Sequence, residues 1–234
     1  MSIAKEHECD AVWPGWGHAS ENFQLAQKLE AAGIVWIGPS WQSMQMLGDK
    51  VESLLLAQKC NVPCVSWSGD SASCANECGI FSEEDAVVKC NKIGYPVMLK
   101  ASNGGGGRGI RRVDTVENCA SAYRQVRLEV PDGLIFAMQC VENCRHVEVQ
   151  IVGDGKGKCV SLSTRDCSIQ RRHQKLIEEG PAPFISSEVL VQMEQAAERI
   201  CEAVSYGNAG TVEFLYKSGT FFFLEVNCRL QVEH

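Results

Sequence analysis

The most chemically pointed stretch of the sequence is a pair of alternating runs near its end. Val212, Phe214 and Tyr216 alternate with Thr211, Glu213 and Leu215; after Lys217-Ser218-Gly219-Thr220, Phe222, Leu224 and Val226 alternate with Phe223, Glu225 and Asn227. A period of two puts the even positions on an apolar face and Glu213, Glu225, Asn227 and Arg229 on the other. A hairpin turning near Ser218-Gly219 sets Glu213 opposite, or nearly opposite, Glu225. Two carboxylates facing each other across a sheet repel, and a divalent cation between them reverses that sign. Glu, Glu and Asn offer only oxygen, which suits Mg²⁺, an ion that takes one or two carboxylates and fills its shell from substrate phosphates. The plainer alternative is an exposed sheet face that happens to carry two Glu.

Two other segments carry charge suited to anions. Asn103-Gly104-Gly105-Gly106-Gly107-Arg108-Gly109 follows a strand-like run. Each Gly costs roughly 0.5–1 kcal/mol in backbone entropy relative to Ala, so four in a row need an offsetting use. Bare consecutive amides wrap closely around phosphate oxygens, and Lys100 and Arg108 add positive charge. The run has neither the Gly-Lys-Ser/Thr ending of a P-loop nor the setting of a dinucleotide fingerprint; a flexible hairpin tip is the alternative. Residues 165–175 (RDCSIQRRHQK) hold four Arg or Lys and one His. No aromatics interleave to stack bases, so a small-anion pocket fits better than an RNA-binding or solvated basic face. Residues 227–234 (NCRLQVEH) are dense in groups that bind anions and move protons.

The elements that must position these residues read as alternating helix and strand. Asp10–Trp13 is strand-like, Asn22–Ala32 helical with Gly33 as its stop, and Ile34–Ile37 a buried strand; this order suggests a parallel sheet. Residues 41–64 are mostly helical, 68–80 a polar surface loop, and 82–93 a helix capped by Ser82 with Glu83, Glu84 and Asp85 in its first turn. Strands follow at 95–100, 134–140, 146–152 and 159–164, helices at 115–128 and 186–205, and the final strands at 211–216 and 221–227.

Composition narrows the classes. The chain has 234 residues, is 45% hydrophobic and carries a net charge of −7. It is long enough to bury a core unaided, and nucleic acid or an anionic membrane is a poor default partner. No apolar run approaches the ~18 residues of a membrane span, and the polar start does not read as a signal peptide. Thirteen cysteines is an odd number, read here as reduced cytosolic thiols. Three C-x3-C pairs, Cys60/Cys64, Cys74/Cys78 and Cys140/Cys144, lack the spacing of a zinc knuckle.

Several segments together resemble the biotin carboxylase component of biotin-dependent carboxylases, an ATP-grasp fold. They are Gly48-Asp49-Lys50, Lys100-Ala101-Ser102 with Gly104–Gly109, His146–Gln150, Arg165–Ser168 through Gln170–Lys175, Gly210–Glu213, and Leu224–Asn227 through Arg229–His234. Residues 13–22 (WPGWGHASEN) are most similar to the eukaryotic multidomain acetyl-CoA carboxylase version. The resemblance implies an α/β (α+β) chain. Residues 1–40 would be part of the N-terminal biotin carboxylase domain, 41–64 connecting helices, 65–140 the ATP-grasp lid, and 141–234 the ATP-grasp core.

It also implies an activity: Mg-ATP-dependent activation of bicarbonate to carboxyphosphate and carboxylation of biotin borne on a separate carrier domain. Lys50 and Lys100 would hold ATP phosphates, with Gly104, Gly105, Gly106 and Gly107 closing over them. His146, Gln170 and His173 would line the nucleotide pocket, and Glu213, Glu225 and Asn227 would hold Mg²⁺ or Mn²⁺. Lys175, Arg229, Gln231 and the Val232 backbone would hold bicarbonate, and Glu233 would deprotonate it. Cys228 departs from the family's usual Pro or Thr. The family's biotin-orienting Arg lies beyond His234, so the expectation is a fragment truncated at both ends, cytoplasmic, that binds ATP but is incomplete for turnover. The alternatives are a pyruvate or other acyl-CoA carboxylase, a non-catalytic nucleotide-binding fragment, or another ATP-grasp ligase.

Overall fold

The computed structural model describes residues 2–17, 19–70, 72–104, 108–171 and 174–232. A short helix, α1 (Ser2–Glu6), precedes a strand–helix–strand unit of β1 (Ala11–Val12), α2 (Phe23–Glu30) and β2 (Val35–Trp36). β1 and β2 pair in parallel, as the element order suggests. Asn22 caps α2 by accepting from the Leu25 amide at 3.0 Å, and Gly33 leaves the helix at φ +75°. β2 is not the buried strand expected: Ile34 and Trp36 face inward, whereas Val35 and Ile37 are exposed. A two-stranded sheet covers only one side of each strand.

α3 (Trp41–Gly48) and α4 (Lys50–Lys59) follow with almost no break. The Asp49 carboxylate accepts the Val51 and Glu52 amides at 2.8 and 3.0 Å, so α4 begins with Lys50 at its first position. The 68–80 segment is more than a polar surface loop. It contains a single turn, α5 (Ala75–Cys78), and buries Cys78 and Ile80, the latter bridged to Ile135.

α6 (Glu83–Ile93), β3 (Val97–Ala101), β4 (Ile110–Val113), α7 (Cys119–Glu129) and β5 (Ile135–Gln139) form a layer of two helices on an antiparallel sheet ordered β4-β3-β5. This layer has its own core, including Ile80, Val97, Leu99, Val126 and Ile135. Ser82 caps α6 at 3.1 Å, and a 3₁₀ turn at Val116–Asn118 leads into α7.

The second sheet is larger. β6 (Arg145–Asp154), β7 (Cys159–Arg171), β8 (Gln174–Glu179), β9 (Gly207–Lys217) and β10 (Thr220–Asn227) make an antiparallel sheet ordered β10-β9-β6-β7-β8. β7 runs well past residue 164, so Arg165–Arg171 of the basic segment lies in that strand, and Gln174 and Lys175 lie in β8 beside it. α8 (Ser187–Glu202) crosses β6 and β7, while α3 and α4 lie against β10. Val147, Val149, Ile151, Val212 and Phe214 meet Met193, Ala197 and Ile200 of α8 in the main core. All thirteen cysteines are free thiols.

Phe214 is fully buried and meets Phe221 and Phe223 edge-on, at centroid distances of 5.4 and 6.4 Å. Phe214→Ala should therefore cost about 3–5 kcal/mol, read as a lower urea midpoint with unchanged slope. Leu128→Ala, at a position 79% exposed, should stay within about 0.5 kcal/mol.

Candidate functional site

The site is built on the β9–β10 hairpin. Ser218 and Gly219 both take positive φ, +50° and +86°, and Thr220 pairs with Lys217, the tight two-residue turn that matches strand twist. Phe223 faces Phe214 in this register, and a regular ladder would bring Leu224 opposite Glu213. A bulge between Phe223 and Glu225 absorbs Leu224 and pairs Glu225 with Glu213. The same bulge corrects the expected faces of β10. Phe221 and Phe223 point into the core, Phe222 and Leu224 are half-buried, and only beyond the bulge does Val226 turn inward. Strict alternation fails because the extra residue shifts its phase.

Glu213 pairs in turn with Glu148 on β6, and Glu148 with Arg165 on β7. Three carboxylates thus stand side by side across three strands. Each is matched by a cation: Lys50 Nζ is 3.0 Å from Glu225, Lys175 bridges Glu148 and Glu213, and Arg165 donates to Glu148. Glu213 is nearly inaccessible. It takes Asn227 Nδ2 at 2.7 Å and Lys175 Nζ at 2.9 Å on Oε1, and His146 Nε2 at 2.5 Å on Oε2. Burial alone would push its carboxyl up, but the His146 hydrogen bond and the Lys175 charge bring it down to about 2. Burial would lower the Lys175 ammonium, but Glu213 and Glu148 reverse this and hold it above the usual lysine range.

A second group gathers around the start of α4. Lys50 donates to the Gly104 carbonyl at 2.9 Å, and its amide donates to Ser102 O at 3.1 Å, tying the helix to the end of β3. A Cβ on Gly104 would stand 2.6 Å from the Arg108 carbonyl oxygen, so only glycine fits. Lys100 on β3 is pushed down to about 8, first by loss of solvent and further by Lys50, with Glu225 opposing. Lys50, Asn103, Gly104, Glu225, Asn227 and Arg229 line one open cleft of about 760 Å³.

Arg229 sits where the two groups meet. It donates to Gln231 Oε1 at 3.1 Å and Asn227 Oδ1 at 3.4 Å, and pairs with Glu21 at 3.4 Å. The Gln231 amide nitrogen is buried and finds no partner among the described residues. Val232 is exposed. Gly105, Gly106, Gly107, His173 and Glu233 lie outside the described residues.

The named residues therefore divide between a cleft and a buried polar layer behind it, joined by the Asn227–Glu213 hydrogen bond. His146 and Gln170 stand half-buried beside this layer, His146 bonded to both Glu213 and Gln170, and neither lines the cleft. The Glu213, Glu225 and Asn227 oxygens form a hard donor set, and the adjacent carboxylates are held off by lysines that could turn to phosphate; the residues present fit Mg²⁺. Among the described residues, none of the three C-x3-C pairs joins a cluster of metal-ligand groups. Sequence reasoning missed Glu148, Glu21 and the inward role of Arg165. A signal for Glu148 was present: it alternates with Val147, Val149 and Ile151, so it shares a strand face with Gln150 opposite the core.

Comparison with known proteins gives the family. Residues 49–234 match the family described as carbamoyl-phosphate synthase L chain, ATP binding domain, and residues 1–44 match biotin carboxylase, N-terminal domain. The chain is 47% identical over 249 aligned residues to acetyl-CoA carboxylase 2 of Oryza sativa subsp. japonica, which covers 100% of this chain and 11% of the rice protein. It superposes on a biotin carboxylase–β-γ-ATP complex from Campylobacter jejuni with a TM-score of 0.92 and 38% identity, covering 100% of this chain and 52% of that one. The biotin carboxylase domain of Hydrogenobacter thermophilus 2-oxoglutarate carboxylase, solved with MgADP, ADP and bicarbonate, gives 0.90 and 36%, with 100% and 51% covered. The mixed helix-and-sheet architecture is accordingly that of the ATP-grasp fold. The chain belongs to the biotin carboxylase branch of the family defined by the ATP-binding domain of the carbamoyl-phosphate synthase large chain.

Proposed function

We propose that the chain is the biotin carboxylase part of an acetyl-CoA carboxylase, a ligase that uses Mg-ATP to activate bicarbonate and carboxylate biotin, the step that feeds malonyl-CoA and fatty acid synthesis. The observation that carries this reading is the row Glu225–Glu213–Glu148, charge-balanced by Lys50, Lys175 and Arg165 and open at one end to the cleft. The acetyl-CoA assignment is supported by the rice relative and by a 48% identical acetyl-CoA carboxylase of Dictyostelium discoideum.

In this reading Lys50 and Lys100 neutralise the ATP phosphates, and the Gly104–Gly107 backbone closes over them. His146, Gln170 and His173 support the nucleotide side. Glu213, Glu225 and Asn227 hold Mg²⁺ or Mn²⁺, which when bound draws charge from the phosphate oxygens. Arg229, Lys175, Gln231 and the Val232 backbone hold bicarbonate; the unpartnered Gln231 amide beside Arg229 supports this, because a buried donor without an acceptor costs about 1–3 kcal/mol. Glu233 removes the bicarbonate proton. The oxygen so freed attacks the γ-phosphorus and ADP leaves; the carboxyphosphate then breaks into carbon dioxide and phosphate, the phosphate takes the ureido N–H proton of biotin on its carrier domain, and that nitrogen adds to the carbon dioxide. Closure over the site excludes water from that labile intermediate.

The proposed division is 1–40, 41–64, a lid at 65–140 and a core at 141–234. The separate hydrophobic cluster within residues 80–137 supports it. No helix of the described residues is long and apolar enough to cross a membrane. Thirteen free thiols fit a reducing compartment, and we place the protein in the cytoplasm.

Two measurements test the reading. Calorimetry on the 234-residue chain should show Mg-ATP binding that Glu225→Gln weakens by about 10–100-fold, the scale of one charged contact, and that Glu213→Gln/Glu225→Gln abolishes. Undiminished binding in the double variant would refute the metal assignment. The second is pH. With Lys100 pushed down to about 8 in the free protein, ATP favours its protonated form, so affinity should fall by up to tenfold per unit as pH rises above about 8. Lys100→Arg should flatten that slope.

A further inference from the structure

His146 and Gln170 form a hydrogen-bonded chain whose polarity can be read from one end. Gln170 Nε2 lies 2.9 Å from the Cys167 carbonyl oxygen and 2.9 Å from His146 Nδ1. A carbonyl only accepts, so the amide must turn its NH₂ group toward Cys167. The second hydrogen of that same nitrogen then faces Nδ1, which must accept it. The ring proton is left on Nε2, 2.5 Å from Glu213 Oε2, where a carboxylate needs a donor. The requirements at the two ends of the ring agree.

The backbone is arranged to allow this. Register shifts in β7 between Asp166 and Ile169, and between Ile169 and Gln170, turn Ile169 outward and bring Gln170 beside its strand partner Lys175. Asp166 accepts the Ser168 amide and hydroxyl at 2.9 and 2.5 Å, and Ser168 Oγ accepts the His146 amide at 3.1 Å. The irregular stretch therefore grips His146 at both its backbone and its ring.

We infer that Gln170 is a positioning residue that holds His146 as its Nε2–H tautomer, so that His146 pins one oxygen of Glu213 and leaves the other toward Lys175 and Asn227. The pinned carboxylate cannot rotate, and the oxygen it offers on the Asn227 side stays in place. This rests on the reading of Glu213 as a metal-holding carboxylate, but the tautomer is measurable without metal or nucleotide.

Selective ¹⁵N labelling of histidine rings in the full chain at neutral pH reads the tautomer, with His146 assigned by its loss in His146→Asn. The expected result is a proton on Nε2 and a bare Nδ1. In Gln170→Glu, which keeps the shape but has no donor, Nδ1 should gain a proton. A proton on Nδ1 in the unaltered chain, or a bare Nδ1 in Gln170→Glu, overturns the inference. ATP affinity is then compared with Mg²⁺ and with EDTA. Gln170→Leu should lose about 10–100-fold more ATP affinity with Mg²⁺ than with EDTA. Equal losses in both conditions, or none, count against the positioning role. If the ring proton lies as inferred but the unaltered chain gains nothing from Mg²⁺, the metal reading of Glu213 fails and the hold on His146 stands.

Discussion

Three carboxylates at adjacent positions of neighbouring strands are an arrangement a sheet does not adopt for stability. Strands lie about 4.8 Å apart, and at that spacing like charges near a protein surface repel by several kcal/mol. The fold meets this constraint with three cations brought from separate elements: Lys50 from the start of α4, Lys175 from the edge strand β8, and Arg165 from β7. Much of the architecture follows from delivering them. Asp49 starts α4 so that Lys50 stands at its first position. The β7–β8 pair carries Lys175 across the sheet to both Glu148 and Glu213. Removing one partner of such a buried pair leaves an uncompensated charge, which generally costs about 3–5 kcal/mol.

The placement of these charges also divides their work. Glu213 and Glu148 are sealed in the sheet, and the surroundings of Glu213 keep it ionised. Glu225 is one-third exposed and faces the cleft with Lys50. A buried charge is rigid but unreachable, whereas an exposed one is reachable but screened. Joining the two through Asn227, which donates to Glu213 while its carbonyl side meets Arg229, lets an open cleft share the fixed geometry of the interior.

Much of this could be read from residue order. The paired glutamates, the Ser218-Gly219 turn, the cap at Ser82 and the parallel β1–β2 unit all rest on local rules, and local rules are what sequence carries. What escaped was non-local or irregular. Glu148 is recognisable only when Arg165 and Lys175 arrive from later strands. Ile80, in a stretch of small polar residues, is buried because β5 happens to pass beside it. The register shifts at Leu224 and within Asp166–Gln170 lie beside the groups that matter most. A rule of period two cannot foresee a one-residue slip, and bulges gather where a side chain has to be re-aimed.

Leu224 shows what such a slip supplies. Without it, Glu225 would move up one place and still meet Glu213, Val226 would still face inward, and the hairpin would be an unbroken ladder. Every partner would be kept. What would go is the local kink and added twist that an extra residue forces on one strand, and with it the direction in which the end of β10 leaves the sheet toward Arg229. Leu224 is thus best regarded as a hinge pin in the covalent chain: it steers the strand that follows it and makes no contact on which the pairing depends.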